Sequence, residues 1–271
     1  MHKQFNDKEN LDQVHHFADP FTWTWLGVTI AEGIISGIAA YTATEIIDSV
    51  LKKSGDYSNI FKSAIVEICT TIKQTIEEKF LQEYISDSEA VRRLLEDYGT
   101  HKNPKVLFEI LPQTYNLVER FKSYEIIGFG GLILSCNLHL LTIKALSEVP
   151  DPEHEGFKVT LEETCKKYAD MLEKSAEGYI NIFKNNLKKD INCIPWSEAC
   201  NAPYYMCPGQ GGVTKVILFN RLTKENKPFP INELQSCRDE AQSIIDNLAN
   251  EHEPYKNALT IIKGYREYKV T

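Results

Sequence analysis

Apolar residues recur at steps of three and four along much of this chain, and the recurrence predicts a series of amphipathic helices. Phe61, Ile65, Ile68, Ile72, Ile76, Phe80 and Tyr84 form one stripe, starting near Tyr57. Ser86 followed by Glu89 has the spacing of a capping box and predicts a new helix from Asp87 to Tyr98. Over 105–121, Leu107, Ile110, Leu111, Tyr115, Leu117 and Val118 fall mostly on one side, with Glu109, Gln113, Asn116, Glu119 and Arg120 on the other. Pro112 is expected to kink this helix or mark its start. A second capping pair, Thr160 and Glu163, introduces the stripe Leu161, Cys165, Tyr168, Leu172, Tyr179, Ile182, Phe183 and Leu187, which reaches about Asp190. Two more helices are expected, over 232–250 and from Pro254 to near Tyr268.

One stretch breaks the alternation. Ile126 to Ile143 reads IIGFGGLILSCNLHLLTI and has no formal charge with His139 neutral. A helix apolar on every face is buried all round or sits in lipid. At 1.5 Å per residue this one is about 27 Å long, close to the hydrocarbon thickness of a bilayer. The short link KSYE joins it to the amphipathic segment before it. The pair therefore reads as a helical hairpin long enough to span a membrane. Asn137 and His139 are the informative polar residues inside the run, because burying an amide and an imidazole unpartnered costs several kcal/mol. They are expected to form a core polar network with neighbouring helices.

The expected fold is all-α, a bundle of seven or eight helices around this apolar central member. Residues 1–21 read as a polar tail and 22–271 as a single bundle domain. A further helix over 22–53 carries the short G-x-x-x-G of Gly33 and Gly37, with Trp23 and Trp25 near its start. A Cys- and Pro-rich loop is expected over 192–231, with at most a short strand pair around Val213–Asn220. Cys193, Cys200 and Cys207 repeat every seven residues, a spacing that disfavours zinc. It leaves open a local disulfide among them or isolated thiols.

Composition narrows the function. The chain has 271 residues, 42% hydrophobic and 25% charged, as in ordinary globular proteins. Its net charge of −8, without a Lys/Arg block, argues against nucleic acid as the partner. The first twenty residues contain no apolar signal core, so the expectation is a soluble protein released without a recognisable signal peptide. G-x-S-x-G, P-loop, H-E-x-x-H and D-D-x-x-D patterns are all absent from the sequence. His15-His16 lie in the polar tail. No enzyme activity, cofactor or metal is expected.

The block Asn137-Leu138-His139-Leu140-Leu141-Thr142-Ile143-Lys144 resembles the N-L-H-L-L-x-L-R block in the central helix of three-domain insecticidal crystal toxins, the delta-endotoxins. The stripe around Val66 and Ile72, the segment 107–121, and the YINIFKNNL ending near Leu187 are similar to that family's second, fourth and sixth helices. Leu132 and Leu134 stand where the family carries Tyr and Gln, and Ala145 where an Asp is common. The family's two β domains have no recognisable counterpart, so the expectation is a domain-only homologue or recognition by other means. The resemblance implies a soluble bundle whose fourth and fifth helices insert into a target-cell membrane as a pore-forming hairpin, with homo-oligomers assembling there. Ile126, Ile127, Phe129, Leu132, Ile133, Leu134, Leu138, Leu140, Leu141 and Ile143 would be the membrane-inserting residues. Glu109, Gln113, Asn116 and Glu119 would line the pore. The alternative is a non-lytic helical interaction module that keeps the fold without forming pores.

Overall fold

The structure, a computed structural model, describes residues 42–48, 66, 76–150, 156–199, 201–206 and 212–269. The expected polar tail, most of the expected helix over 22–53 with Gly33 and Gly37, the stripe from Phe61 to Ile72, and Cys200 and Cys207 lie outside the described residues. Where one bundle domain over 22–271 is the expectation, the chain divides into two compact units. One comprises Met1–Ala176 with Asn257–Thr271, the other Glu177–Lys256. The described residues are mainly helical, with seven α-helices, one of them wholly buried and apolar, and a four-stranded antiparallel sheet near the C-terminus.

In the first unit, α1 (Ala43–Ile46) starts at Thr42, whose hydroxyl accepts from the Glu45 amide while the Glu45 carboxylate accepts from the Thr42 amide. α2 is a continuous helix, Glu78–His101. It runs straight through Ser86, so the expected break and capping box are not there. The reason is that the buried stripe Leu81, Tyr84, Ser88, Val91, Leu95 and Tyr98 is unbroken, and Glu89 pairs with Arg92 instead. α3 (Pro104–Ser123) has Asn103 as its N-cap and Pro104 in its first turn, where a missing N–H costs nothing. Pro112 lies inside it. α4 (Phe129–Ser147) is the apolar helix. α5 (Gly156–Asp190) supplies its first part to this unit, and α7 (Glu253–Glu267) its later part. Thr160 lies within α5 and donates to the Gly156 carbonyl at 3.0 Å, so it back-bonds one turn rather than capping the helix. Arg266 joins α7 to α5 through Asp170 and Glu173, and Arg120 joins α3 to α2 through Asp87.

The second unit corrects the all-α expectation. The segment expected as a loop with at most a strand pair forms β1 (Ile191–Ser197), β2 (Ala202–Pro203), β3 (Lys215–Asn220) and β4 (Glu225–Pro230), in the order β2-β1-β3-β4. Prolines hid these strands, and their positions explain how the ladder tolerates them. Pro228 and Pro230 lie on the edge strand β4, and beside Pro195 one flank is open because β2 covers only Trp196 and Ser197. α6 (Leu234–Asn250) follows the sheet. Ile191, Val216, Leu218 and Phe229 of the sheet form this unit's core with Leu187 of α5 and with Cys237, Ala241 and Ile245 of α6. A disulfide joins Cys193 of β1 to Cys237 of α6, across 44 residues. Of the two readings left open for Cys193, a local pairing with Cys200 or Cys207 and an isolated thiol, neither holds, because it is linked from sheet to helix. Cys193 points to the helix-facing side of β1, which brings it to Cys237 on the buried stripe of α6.

Candidate functional site

α3 and α4 are consecutive and antiparallel partners across a tight turn. Tyr124 N–H donates to Phe121 O, Glu125 N–H to Lys122 O, and Phe129 N–H to Ile126 O, with Glu125 at a positive φ of 49°. Ile126 and Ile127 fall in this turn and are half-buried, which removes them from the expected apolar helix. The helix instead begins at Phe129 and runs four residues beyond Ile143, to Ser147. The other expected inserting residues (Phe129, Leu132, Ile133, Leu134, Leu138, Leu140, Leu141 and Ile143) are all on α4 and all buried.

Close approach defines the top of the pair. A Cβ on Gly131 would lie 2.2 Å from Cε1 of Phe121, so only glycine admits the ring there. On α3 the buried stripe is Leu107, Ile110, Thr114, Leu117, Val118 and Phe121. Glu109, Gln113 and Asn116 are exposed and Glu119 is half-buried, so the four expected lining residues share the polar flank of α3. Three of them (Gln113, Asn116 and Glu119) border a groove of about 620 Å³ with Asp87, Ala90 and Val91 of α2 and Arg120 of α3.

Asn137 and His139 of α4 are each hydrogen-bonded, whereas the buried Ser135 hydroxyl has no hydrogen-bond partner among the described residues. Asn137 Nδ2 donates to Ile133 O at 2.8 Å, and its Oδ1 accepts from the Tyr265 hydroxyl of α7 at 2.7 Å. His139 Nδ1 lies 3.0 Å from Thr114 Oγ1 on α3. That hydroxyl is also 3.0 Å from Leu111 O. With its single proton on the carbonyl, Thr114 accepts from a His139 Nδ1–H; the other tautomer reverses the roles. The imidazole sits between the Tyr115 and Tyr168 rings, at 5.7 and 5.9 Å. Burial, and secondarily the Lys167 ammonium, lowers its pKa to about 4. Thus Asn137 and His139 form two separate bonds to two helices rather than one network.

Lys144, the one formal charge within α4, is buried and pairs with Glu148 at 3.0 Å. Glu148 Oε2 also accepts from the Ala43 amide of α1 at 2.8 Å. Burial raises the Cys136 thiol well above its ordinary range and Cys165 to about 12, so both stay protonated and neither supplies a thiolate nucleophile. Among the described residues, no group of three His, Cys, Asp or Glu side chains is arranged to hold a metal.

Thr114, Tyr168 and Tyr265, the partners that position His139 and Asn137, were not singled out by sequence pattern. Thr114 left a signal, as the polar member of an otherwise apolar stripe. Tyr168 was legible only as a stripe position, and Tyr265 carried no distinguishing pattern. No family model and no curated protein matches this sequence.

Proposed function

We propose that this chain is a membrane-permeabilising, toxin-like protein that stays folded in water and inserts α3 and α4 into a target-cell bilayer. The observation that carries the reading is the pairing of a 19-residue apolar helix with an amphipathic helix across a tight turn. At about 28 Å, α4 matches the hydrocarbon layer. Lys144 lies in its last turn, where a long side chain can reach the interface. α3 carries Glu109, Gln113, Asn116 and Glu119 along one flank, a face that tolerates a wet lumen, while α4 tolerates lipid. Homo-oligomers would be needed to close such a lumen. The resemblance of Asn137–Lys144 to the delta-endotoxin central-helix block points the same way.

The test is release of an entrapped dye from vesicles of phosphatidylcholine and phosphatidylglycerol. The folded chain is expected to cause leakage. Intact, folded protein that releases nothing between pH 4 and 10 overturns the reading.

A second reading, a non-lytic helical interaction module, is favoured by one observation. The polar side chains Asn137 and His139 of α4 are bonded within the bundle, as in a permanent core helix. A stable protein complex formed without any membrane binding is the outcome that selects it.

A further inference from the structure

The contact of α3 with α4 is apolar apart from one side-chain hydrogen bond among the described residues, His139 to Thr114. We propose that His139 is an acid-sensing pin, which holds α3 against α4 while neutral and releases the pair when protonated. The consequence for membrane entry rests on the permeabilising role proposed above; the pin itself does not.

The surroundings of the ring set the sign. From α3 it meets the Thr114 hydroxyl and the Tyr115 ring, and from α5 the Tyr168 ring. The Lys167 ammonium of α5 lies 5.7 Å over Tyr115 and is the charged group acting on His139. Glu119 of α3 acts on Cys136 and Tyr168. Tyr265 of α7 is engaged with Asn137. An imidazolium formed here meets a cation, two ring systems and a hydroxyl already close to two carbonyls, Ile110 and Leu111. It gains no carboxylate partner from these groups. Its hydration then requires water between α3, α4 and α5, the same separation that frees the hairpin.

Amide hydrogen exchange in α4, corrected for intrinsic rates, reads the pin without a membrane. Protection is expected to fall at least about tenfold between pH 6.5 and 4. The His139→Gln variant, which keeps a neutral hydrogen-bonding side chain, should lose less than about threefold of that protection over the same range. Lys167→Gln, which removes the charge that lowers the His139 pKa in the folded state, should make the fall smaller. His139→Gln following the native profile overturns the proposal. Should that variant fail to fold, an undiminished fall in Lys167→Gln overturns it equally. Dye release from phosphatidylcholine and phosphatidylglycerol vesicles, run in parallel, separates the two ideas. Protection lost without leakage sinks the permeabilising reading and supports the pin. Leakage with α4 protection unchanged sinks the pin.

Discussion

The Tyr265 hydroxyl donates to Asn137 Oδ1 at 2.7 Å, and both side chains are buried. This single bond ties α7 to the middle of α4. Burial also raises the Tyr265 phenol well above its ordinary pKa, so it remains a donor at any physiological pH.

Tyr265→Phe leaves the Asn137 carbonyl oxygen buried without that donor. The expected loss is about 1–3 kcal/mol of stability, read by urea denaturation. Asn137→Leu should cost a similar amount by orphaning the phenol. The double variant should cost less than the sum, because neither partner is then left with an unmet bond. Strict additivity in the four-protein cycle would show that the bond contributes nothing.

Gly131→Ala places a methyl group into the Phe121 ring. Overpacking of this kind costs about 1–3 kcal/mol, and the melting temperature should fall accordingly. Phe121→Leu made together with Gly131→Ala should recover part of the loss, since it withdraws the ring the methyl group meets. An unchanged melting temperature in Gly131→Ala would mean that α3 and α4 are not held this closely.

Some of this was legible in the sequence and some was not, for physical reasons. α4 announced itself because an uncharged run of that length has few alternatives, and its burial on every side follows from its composition. Its start was misjudged by three residues, since Ile126 and Ile127 are as apolar as the helix they precede and the turn is set by Glu125 and Gly128. Ser86 and Thr160 each stood three residues before a Glu, but capping chemistry is local and yielded to apolar stripes that continue through both positions. The sheet was hidden by Pro195, Pro228 and Pro230, which are tolerated only because of where the strand flanks are open. The partner of Cys193 is 44 residues away on a helical stripe, a relation that spacing does not encode.

Reduction of the Cys193–Cys237 bond should destabilise the unit Glu177–Lys256. It releases a cross-link closing a 44-residue separation, a constraint typically worth about 2–4 kcal/mol. Thermal melts with and without a dithiol reductant, followed by Trp196 fluorescence, measure this. A Cys193→Ser, Cys237→Ser protein that melts at the native temperature would contradict it.

His252 supplies a pH dependence in the same unit. Its Nε2 lies 2.6 Å from the Tyr179 hydroxyl, and its ring stacks on Phe183 at 4.3 Å. Burial lowers its pKa to about 4, against a small opposing effect of Glu253. The folded state thus binds this proton less readily than the unfolded chain does. Stability is full above pH 6.5 and declines as the pH falls toward 4. The decline amounts to about 2–3 kcal/mol for this residue. In His252→Gln the stability difference between pH 7 and pH 4 should shrink by that amount in denaturant titrations. A variant with the native pH profile would show that the imidazole is already free to charge.

The uniform enclosure of α4 also governs how its sequence can drift. A helix with one wet face accepts substitutions with a 3.6-residue rhythm, tolerant outside and intolerant within. α3, with Gln113 and Asn116 in water and Leu117 in the core, should display that rhythm. From Phe129 to Leu146 every position is buried, so α4 has no permissive side on which neutral change can accumulate. A saturation library scored for folded yield should therefore return a flat band of intolerance across α4, relieved only by swaps that preserve volume.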